Sequence, residues 1–545
     1  MDSKRLFTFF VLSMLIMIGW EKIFPSPKPQ AAVQQSQQQK AADAGFTLSP
    51  TQPVTVTTDT VKAIIDEKTG DLRQLSLLKY NSASDEGKSF TLLNDQKEHT
   101  YIAQADILDA AGQSLSKNLS FTATQKSYTL NGDKVEVRLS APPSNGIQLD
   151  KVYTFTKGSY LINVRFDITN QSGQPLKTQA IYRMIRDKSK PDGDGYFTHS
   201  YAGPVLYTPN GQFQKVDFSV LDKDADSGRD QAEYERKTTS GWVGMSQHYF
   251  MSTWILQPKD GASVCNTAGC TISIRRGDNN LYSAGTQIAL PEIQNGTKLS
   301  APINLYAGPQ ATDSIRNIAD NLQLIKDYGR VYYPATALFW LMEKLHGFVG
   351  NWGWAIILLT IIVKAILFPL TNASYKSMAK MRAVAPKLEA LKQQHGDDRM
   401  ALQTAMMQMY RDEKINPLGG CLPMFLQIPV FIGLYWAIFS SVELRQAPWI
   451  GWIQDLSRPD PWFVLPVLMA ATMWFQTSLN PPPTDPMQAK MMKFMPLMFS
   501  VMFFFFPAGL VLYYVVNNLL TIAQQWHINR SIEQARKQGE VLDKA

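Results

Sequence analysis

The sequence predicts an α-helical polytopic membrane protein of six spans, five of them forming one core, with a large extracytoplasmic antiparallel β-sandwich domain. Three observations predict it. Trp352–Leu370 is an apolar run long enough to cross bilayer hydrocarbon as one helix. Further apolar runs follow it to the end of the chain, broken by short polar loops. Residues 51–306 read instead as strand after strand. The mean hydropathy of −0.16 therefore averages two unlike parts. Residues 26–330 are polar with alternating patterns, and 350–526 is apolar and rich in Met, Phe and Trp.

Taken in order, Lys4 and Arg5 precede an apolar run, Leu6–Trp20. Trp20, Glu21, Lys22 and Ile23 stand where a signal peptide needs small residues, so 1–24 reads as an uncleaved anchor, cytosolic at its start. Residues 25–50, rich in Pro, Gln, Ala and Ser, read as a flexible linker. The sandwich domain is expected over 51–328. Runs such as VEVRLSA (135–141) alternate, and turns such as Asn131-Gly132-Asp133 separate them. Residues 314–326 read as a helix. Cys265 and Cys270, five apart, form a possible disulfide if this part faces an oxidising space; two unlinked small residues fit as well.

Chemistry is sparse in this domain. The histidines show no paired ligand spacing, so no metal is expected, and no cofactor. Gly87-Lys88-Ser89 resembles the tail of a phosphate loop, but Ser82 occupies the place of its first glycine. Asp192 and Asp194 read as a solvated loop. Residues 329–349 mix aromatics and leucines with Lys344 and His346, which suits an amphipathic interfacial helix; a buried helix of the sandwich is the alternative.

The second span, 350–371, carries no acid and one cation, Lys364. A lysine mid-span costs roughly 2.5–3.5 kcal/mol on insertion scales. Either its stem snorkels over the roughly 9 Å to Leu370, or a water-filled cavity keeps the ammonium hydrated. Residues 372–420 hold Lys376, Lys380, Arg382, Lys387, Lys392, Arg399, Arg411 and Lys414 against Glu389, Asp397, Asp398, Asp412 and Glu413, which places them in the cytosol. They read as a hairpin of helices near 373–394 and 399–414, broken at His395-Gly396-Asp397-Asp398. Its methionines suit varied apolar partners or ordinary packing.

A third span covers 421–441, an outer loop 442–461, a fourth span 462–479 and an inner loop 480–493. The remaining apolar stretch is too long for one helix and turns at Pro507-Ala508-Gly509, giving spans 494–507 and 508–527. Arg530, Arg536 and Lys537 place the tail, 528–545, inside.

The last five spans contain no Asp or Glu. That argues against an ion-coupled transporter, which keeps intramembrane carboxylates, and no protease pair or phosphate loop is present. The net charge of +7 gathers beside the spans, so no nucleic acid partner is expected. Thr360, Gln427, Asn517, Asn518, Gln524, Gln525, Tyr513 and Tyr514 either bond helix to helix or line one wet cavity with Lys364. Such a cavity suits temporary acceptance of a polar chain segment, because it shortens the apolar barrier.

The blocks NWGWAIILLTIIVKAILFPLTNASYKSMAKM (351–381), INPLGGCLPMFLQIPVFIGLYWAI (415–438), SVELRQAPW (441–449), TDPMQAKMMKFMP (484–496) and FPAGLVLYYVVNNL (506–519) resemble the YidC family of membrane-protein insertases in its long bacterial form. The resemblance implies an insertase and folding chaperone of the bacterial inner membrane, working alone or with the Sec translocon, without nucleotide hydrolysis. It implies both termini in the cytosol and the sandwich in the periplasm. It also implies a hydrophilic groove open to cytosol and lipid, charged by Lys364 and lined by Thr360, Gln427, Asn517, Asn518, Tyr513 and Tyr514. Met424, Ile428, Pro429 and Phe431 fall where an incoming helix slides. Implied partners are nascent membrane proteins, the Sec translocon and its accessory subunits, membrane lipids, and the ribosome or signal-recognition pathway through the hairpin and basic tail. One departure stands out: many members carry Arg where this chain has Lys364, which keeps the charge and loses the planar fork.

Overall fold

The computed structural model describes residues 52–83, 87–96, 99–116, 119–192, 200–226, 234–265, 269–277, 280–326, 328, 331–396, 398–413, 422–479, 494, 498 and 500–537. The anchor expected over 1–24, the linker 25–50, the loop 480–493 and Asp194 lie outside the described residues. Two compact units emerge, Pro27–Asp327 and Tyr328–Ala545 together with Met1–Ser26.

In the first unit, alternating apolar residues build a ten-stranded and a nine-stranded sheet. Strand Leu72–Asn81 shows the period-two burial that one packed face requires. Trp242–Gln247 and Phe250–Ile255 are buried along their whole length. The sheets are antiparallel with one exception, a short parallel pairing of Thr55–Thr57 with Ser127–Thr129. Side chains tie sheet to sheet. Tyr101 hydrogen-bonds the Ser252 hydroxyl, and Tyr153 donates to the Gly70 carbonyl at 2.7 Å.

Among the described residues, two α-helices belong to this unit, α1 (Phe218–Asp226) and α2 (Thr312–Ile315). The helix expected over 314–326 is not continuous. After α2 the chain turns at Asn321, whose left-handed φ of 58° stops helix propagation, and only a 3₁₀ turn, Leu322–Ile325, follows. Ile315, Leu322 and Ile325 nonetheless bury against Trp242, so the apolar spacing reported packing correctly and backbone wrongly. Asp192 is also not simply solvated. Its carboxylate accepts from the Ser82 hydroxyl at 2.7 Å and the Ala83 N–H at 2.8 Å, bracing a loop 110 residues away. Cys265 and Cys270 are joined as a disulfide with Cα atoms 5.1 Å apart.

The sandwich core holds a fully buried lysine in an ion pair. Lys151 is fully buried, donates to the Ala105 carbonyl at 2.8 Å and lies 3.5 Å from Asp71. Gly70 is required beside it: its φ is +67°, and a Cβ there would meet Lys151 Cδ at 2.8 Å. At the opposite face Asp167 accepts from Arg138 at 3.1 Å and Ser300 at 2.8 Å, with Arg165 and Lys298 close by.

The second unit is a helical bundle. Helix α3 (Tyr332–Val349) buries Ala335, Phe339 and Met342 on one face and exposes Tyr333, Trp340 and Phe348 on the other, the two-faced pattern its sequence predicts. Its inner face shares a core with α4 (Trp352–Ala383), α7 (Leu422–Phe439), α8 (Val464–Leu479) and α9 (Ala508–Lys537), through Ile356, Leu359, Leu434, Ile438, Met469, Leu510 and Val511. Within α4, the 23 residues Trp352–Ser374 are long and apolar enough to cross a membrane, by length and composition. Ile361, Ile366, Phe368 and Leu370 point outward and are exposed.

Between α4 and α7 lie α5 (Ala385–His395) and α6 (Arg399–Asp412). Asp398 caps α6, accepting from the N–H groups of Met400 and Ala401 at 3.1 and 3.0 Å. Lys387 pairs with Glu413 across the hairpin, and Met400 and Met407 are exposed.

Two helical limits differ from expectation. Helix α4 continues 32 residues to Ala383, through Pro369, instead of ending near 371 with a new helix at 373. One proline removes one ladder bond, and the Ala-, Ser-, Lys- and Met-rich stretch beyond it favours helix regardless of solvent. Helix α9 likewise runs to Lys537 rather than 527.

Replacing Lys151 alone, as Lys151→Met, takes from buried Asp71 the ammonium 3.5 Å away and leaves Arg73 as the cation acting on it. It is expected to cost about 3–5 kcal/mol, while Lys151→Met with Asp71→Leu recovers most of that; calorimetric unfolding of the full chain in detergent reads both. Asp167 supplies a pH test. Burial pushes its carboxyl up, but hydrogen bonds from Ser300 and Arg138 and the charges of Arg165 and Lys298 outweigh this and hold its pKa below the ordinary 3.8. A depressed carboxylate stabilises above its unfolded pKa and loses that contribution as pH falls through the folded one. Asp167→Asn should therefore lower thermal stability at pH 7, with the gap closing as pH drops below 3.8.

Candidate functional site

Helix α9 carries the centre of the site. Asn517, Asn518, Thr521 and Gln525 recur at three- and four-residue spacing, so they form one stripe, and all are buried. A polar stripe inside an apolar bundle needs partners. Asn518 Nδ2 donates to the Thr472 hydroxyl of α8 at 3.2 Å. Gln525 Nε2 donates to the Leu479 carbonyl at 3.3 Å. Thr521 donates to the Asn517 carbonyl of its own helix at 2.7 Å. The side-chain oxygen of Asn517 has no hydrogen-bond partner.

Lys364 reaches this stripe from α4. Its Nζ lies 2.8 Å from Thr521 Oγ1, with the side chain half-buried. Among the described residues no carboxylate pairs with it. The lysine stem thus runs across to a neighbouring helix rather than along its own toward Leu370.

The other expected residues divide. Thr360, one turn before Lys364, is buried and turns its hydroxyl onto the Ile356 carbonyl at 2.7 Å. Gln427 donates to the Tyr513 hydroxyl at 2.6 Å, and Tyr513 is sunk in the bundle core. Phe431 of α7 packs on Tyr514 with ring centroids 4.9 Å apart, and Phe503 meets the same ring at 4.9 Å. Ile428 and Pro429 are half-buried on α7. The side chain of Met424 lies outside the described residues. Sequence reasoning missed Thr521 and Thr472, since a helical threonine that bonds its own backbone carries no pattern.

It also missed how one loop closes the N-terminal ends of three helices. Asn351 caps α4, accepting from Gly353 N–H at 2.9 Å and donating to the Pro448 carbonyl at 3.0 Å. The carbonyls of Leu456 and Arg458 accept from Gly509 and Ala508 at the start of α9, at 2.9 and 2.7 Å. Asp460, fully buried, accepts from Trp452 Nε1 at 2.9 Å, Trp462 N–H at 3.0 Å and Leu465 N–H at 2.7 Å, capping α8. Trp449 packs so closely on Gly353 that a Cβ there would fall 2.1 Å from its ring. The bundle is therefore tied shut at this end.

A large β-sandwich followed by an apolar helical bundle, in which Lys364 meets a polar stripe and no carboxylate among the described residues, is the build of a membrane protein with a separate β domain. Family models agree on both parts: 60Kd inner membrane protein matches residues 344–536, and YidC periplasmic domain matches residues 53–341. The chain belongs to the YidC family of membrane protein insertases. A protein named Membrane protein insertase YidC from Neisseria meningitidis serogroup C is 68% identical over 99% of this chain and 100% of its own. One of the same name from Laribacter hongkongensis is 50% identical, covering 98% of each. A solved structure described as an active YidC insertase with its first transmembrane domain resolved is 20% identical, covers 94% of this chain and 97% of that one, and gives a TM-score of 0.39.

Asp460→Ala removes three hydrogen bonds and a helix cap at once. A loss of about 2 kcal/mol or more is expected, at the upper end for a single cap; a thermal shift of the purified chain, with Asp460→Asn retaining part of the loss, checks it.

Proposed function

We propose that the protein inserts nascent membrane proteins into the bacterial inner membrane through a groove between α4, α7, α8 and α9, with Lys364 as its charge. The observation that carries this reading is the Lys364 ammonium held on the polar stripe of α9 with no carboxylate beside it among the described residues. A paired cation would be spent within the protein; this one keeps its field for an incoming segment. The polar end of a substrate hairpin enters beside Lys364. Its apolar part then slides past Met424, Ile428, Pro429, Phe431 and Tyr514 into lipid.

Orientation follows the positive-inside rule. Six spans, with both termini cytosolic and the sandwich periplasmic, put the α5–α6 hairpin and the basic end of α9 where ribosomes or the signal-recognition pathway deliver chains. The closed end of the bundle then faces the periplasm, so the groove opens only toward cytosol and lipid. Cooperation with the Sec translocon fits the same geometry, because the groove's exit is lateral. No bond is made or broken, and no cofactor is called for: the work is binding and release.

Lys364→Ala and Lys364→Glu should each impair insertion of single-span substrates with acidic tails, Lys364→Glu more severely, and spare neutral-tailed ones. Protease protection in proteoliposomes containing the full chain measures this. Unchanged insertion of acidic tails at equal protein levels would remove the charge from the mechanism.

A further inference from the structure

We infer that Thr521 is a positioning residue for the groove cation: it holds the Lys364 ammonium by accepting a hydrogen bond with a hydroxyl whose own proton is already committed. The inference rests on the proposed role of Lys364 and deepens it.

Three observations support it. Thr521 Oγ1 lies 2.8 Å from Lys364 Nζ, and Lys364 is only a donor. The Thr521 hydroxyl proton goes to the Asn517 carbonyl at 2.7 Å, so toward any third group this oxygen is an acceptor alone. Finally, Thr521 is 5% exposed, which denies the oxygen easy replacement by bulk water. A serine or threonine facing a cation without such a commitment can rotate away; this one is oriented by the helix it sits on.

An ammonium has three donors. Thr521 takes one and leaves two for water or for a substrate carboxylate. The stem is meanwhile drawn from α4 across to α9, which sets the charge between the helices instead of on the outer surface of α4. Asn517, one turn away on the same stripe and 9% exposed, offers a side-chain oxygen with no partner. The acceptor side of the groove is thus wider than the single contact the ammonium uses at rest.

The test compares Thr521→Val, Thr521→Ser, Lys364→Ala and the Lys364→Ala/Thr521→Val pair as full chains in proteoliposomes. The substrate is a single-span protein carrying either an acidic or a neutral tail. Thr521→Val keeps the β-branched shape and loses the acceptor. It should slow acidic-tail insertion about tenfold, the worth of one charge-assisted hydrogen bond, and leave the neutral tail unchanged. Thr521→Ser should restore the rate, and Thr521→Val should add nothing once Lys364 is gone. If Lys364→Ala slows the acidic tail and Thr521→Val does not, the positioning role is overturned while the groove reading stands. Should neither substitution slow it, both fail. Equal slowing of acidic and neutral tails by Thr521→Val, or no rescue by serine, marks a structural role and overturns the inference.

Discussion

An ammonium inside an apolar helix bundle, with no carboxylate to neutralise it among the described residues, is the constraint around which the helical half is organised. Hydrocarbon cannot solvate it, so the surrounding helices must supply acceptors or admit water. Helix α9 supplies acceptors as a stripe, Asn517, Thr521 and Gln525, each buried and one turn apart. Such a stripe would be costly in a sealed core, where each amide needs a full set of partners. Here Asn517 keeps an unmet acceptor. Under the proposed function, a groove that receives polar chain has reason to keep some hydrogen-bonding capacity unspent.

The opposite end of the bundle follows the reverse logic. Asn351, Asp460 and the carbonyls of Leu456 and Arg458 satisfy the first N–H groups of α4, α8 and α9, and Trp449 seals against Gly353. Helix starts left open there would be both unsatisfied and wet. Closing them on one loop fixes three helices against each other without any contact at the polar stripe. The tied end and the stripe are thus separate, and the helices between them can keep polar side chains without loss of register.

Much of this was legible in the sequence, and the gaps have physical causes. Period-two alternation over 135–141 and 161–169 revealed strands because side chains on a sheet must alternate. Lys364 stood out because an apolar run advertises any charge within it. The ends of α4 and α9 were misjudged because polarity marks solvent, while helices end where caps or backbone conformations end them. Ala383 and Lys537 lie well past the change in polarity. Asp192 read as an ordinary loop acid, since what its carboxylate accepts from is set by chain 110 residues away. Thr521 was invisible for a related reason. A threonine bonded to its own i−4 carbonyl is common in apolar helices, and its importance comes only from a lysine 157 residues earlier in the chain.

That lysine also bears on how the site differs from one built for arginine. A guanidinium has five donors in a planar fork and is best served by a carboxylate or several acceptors in one plane. Among the described residues, the site offers the resting cation a single hydroxyl oxygen at 2.8 Å. An ammonium needs only a point contact, and its remaining donors rotate freely about the Cε–Nζ bond toward whatever arrives. With one fixed acceptor and a flexible stem, lysine gives a cation that is located but not saturated. A fork in the same place would leave more donors unmet at rest, and would bind a substrate carboxylate in one orientation rather than many. For the proposed groove, which would have to release each segment as readily as it takes it, the weaker and less directional contact is the better match to the acceptors present.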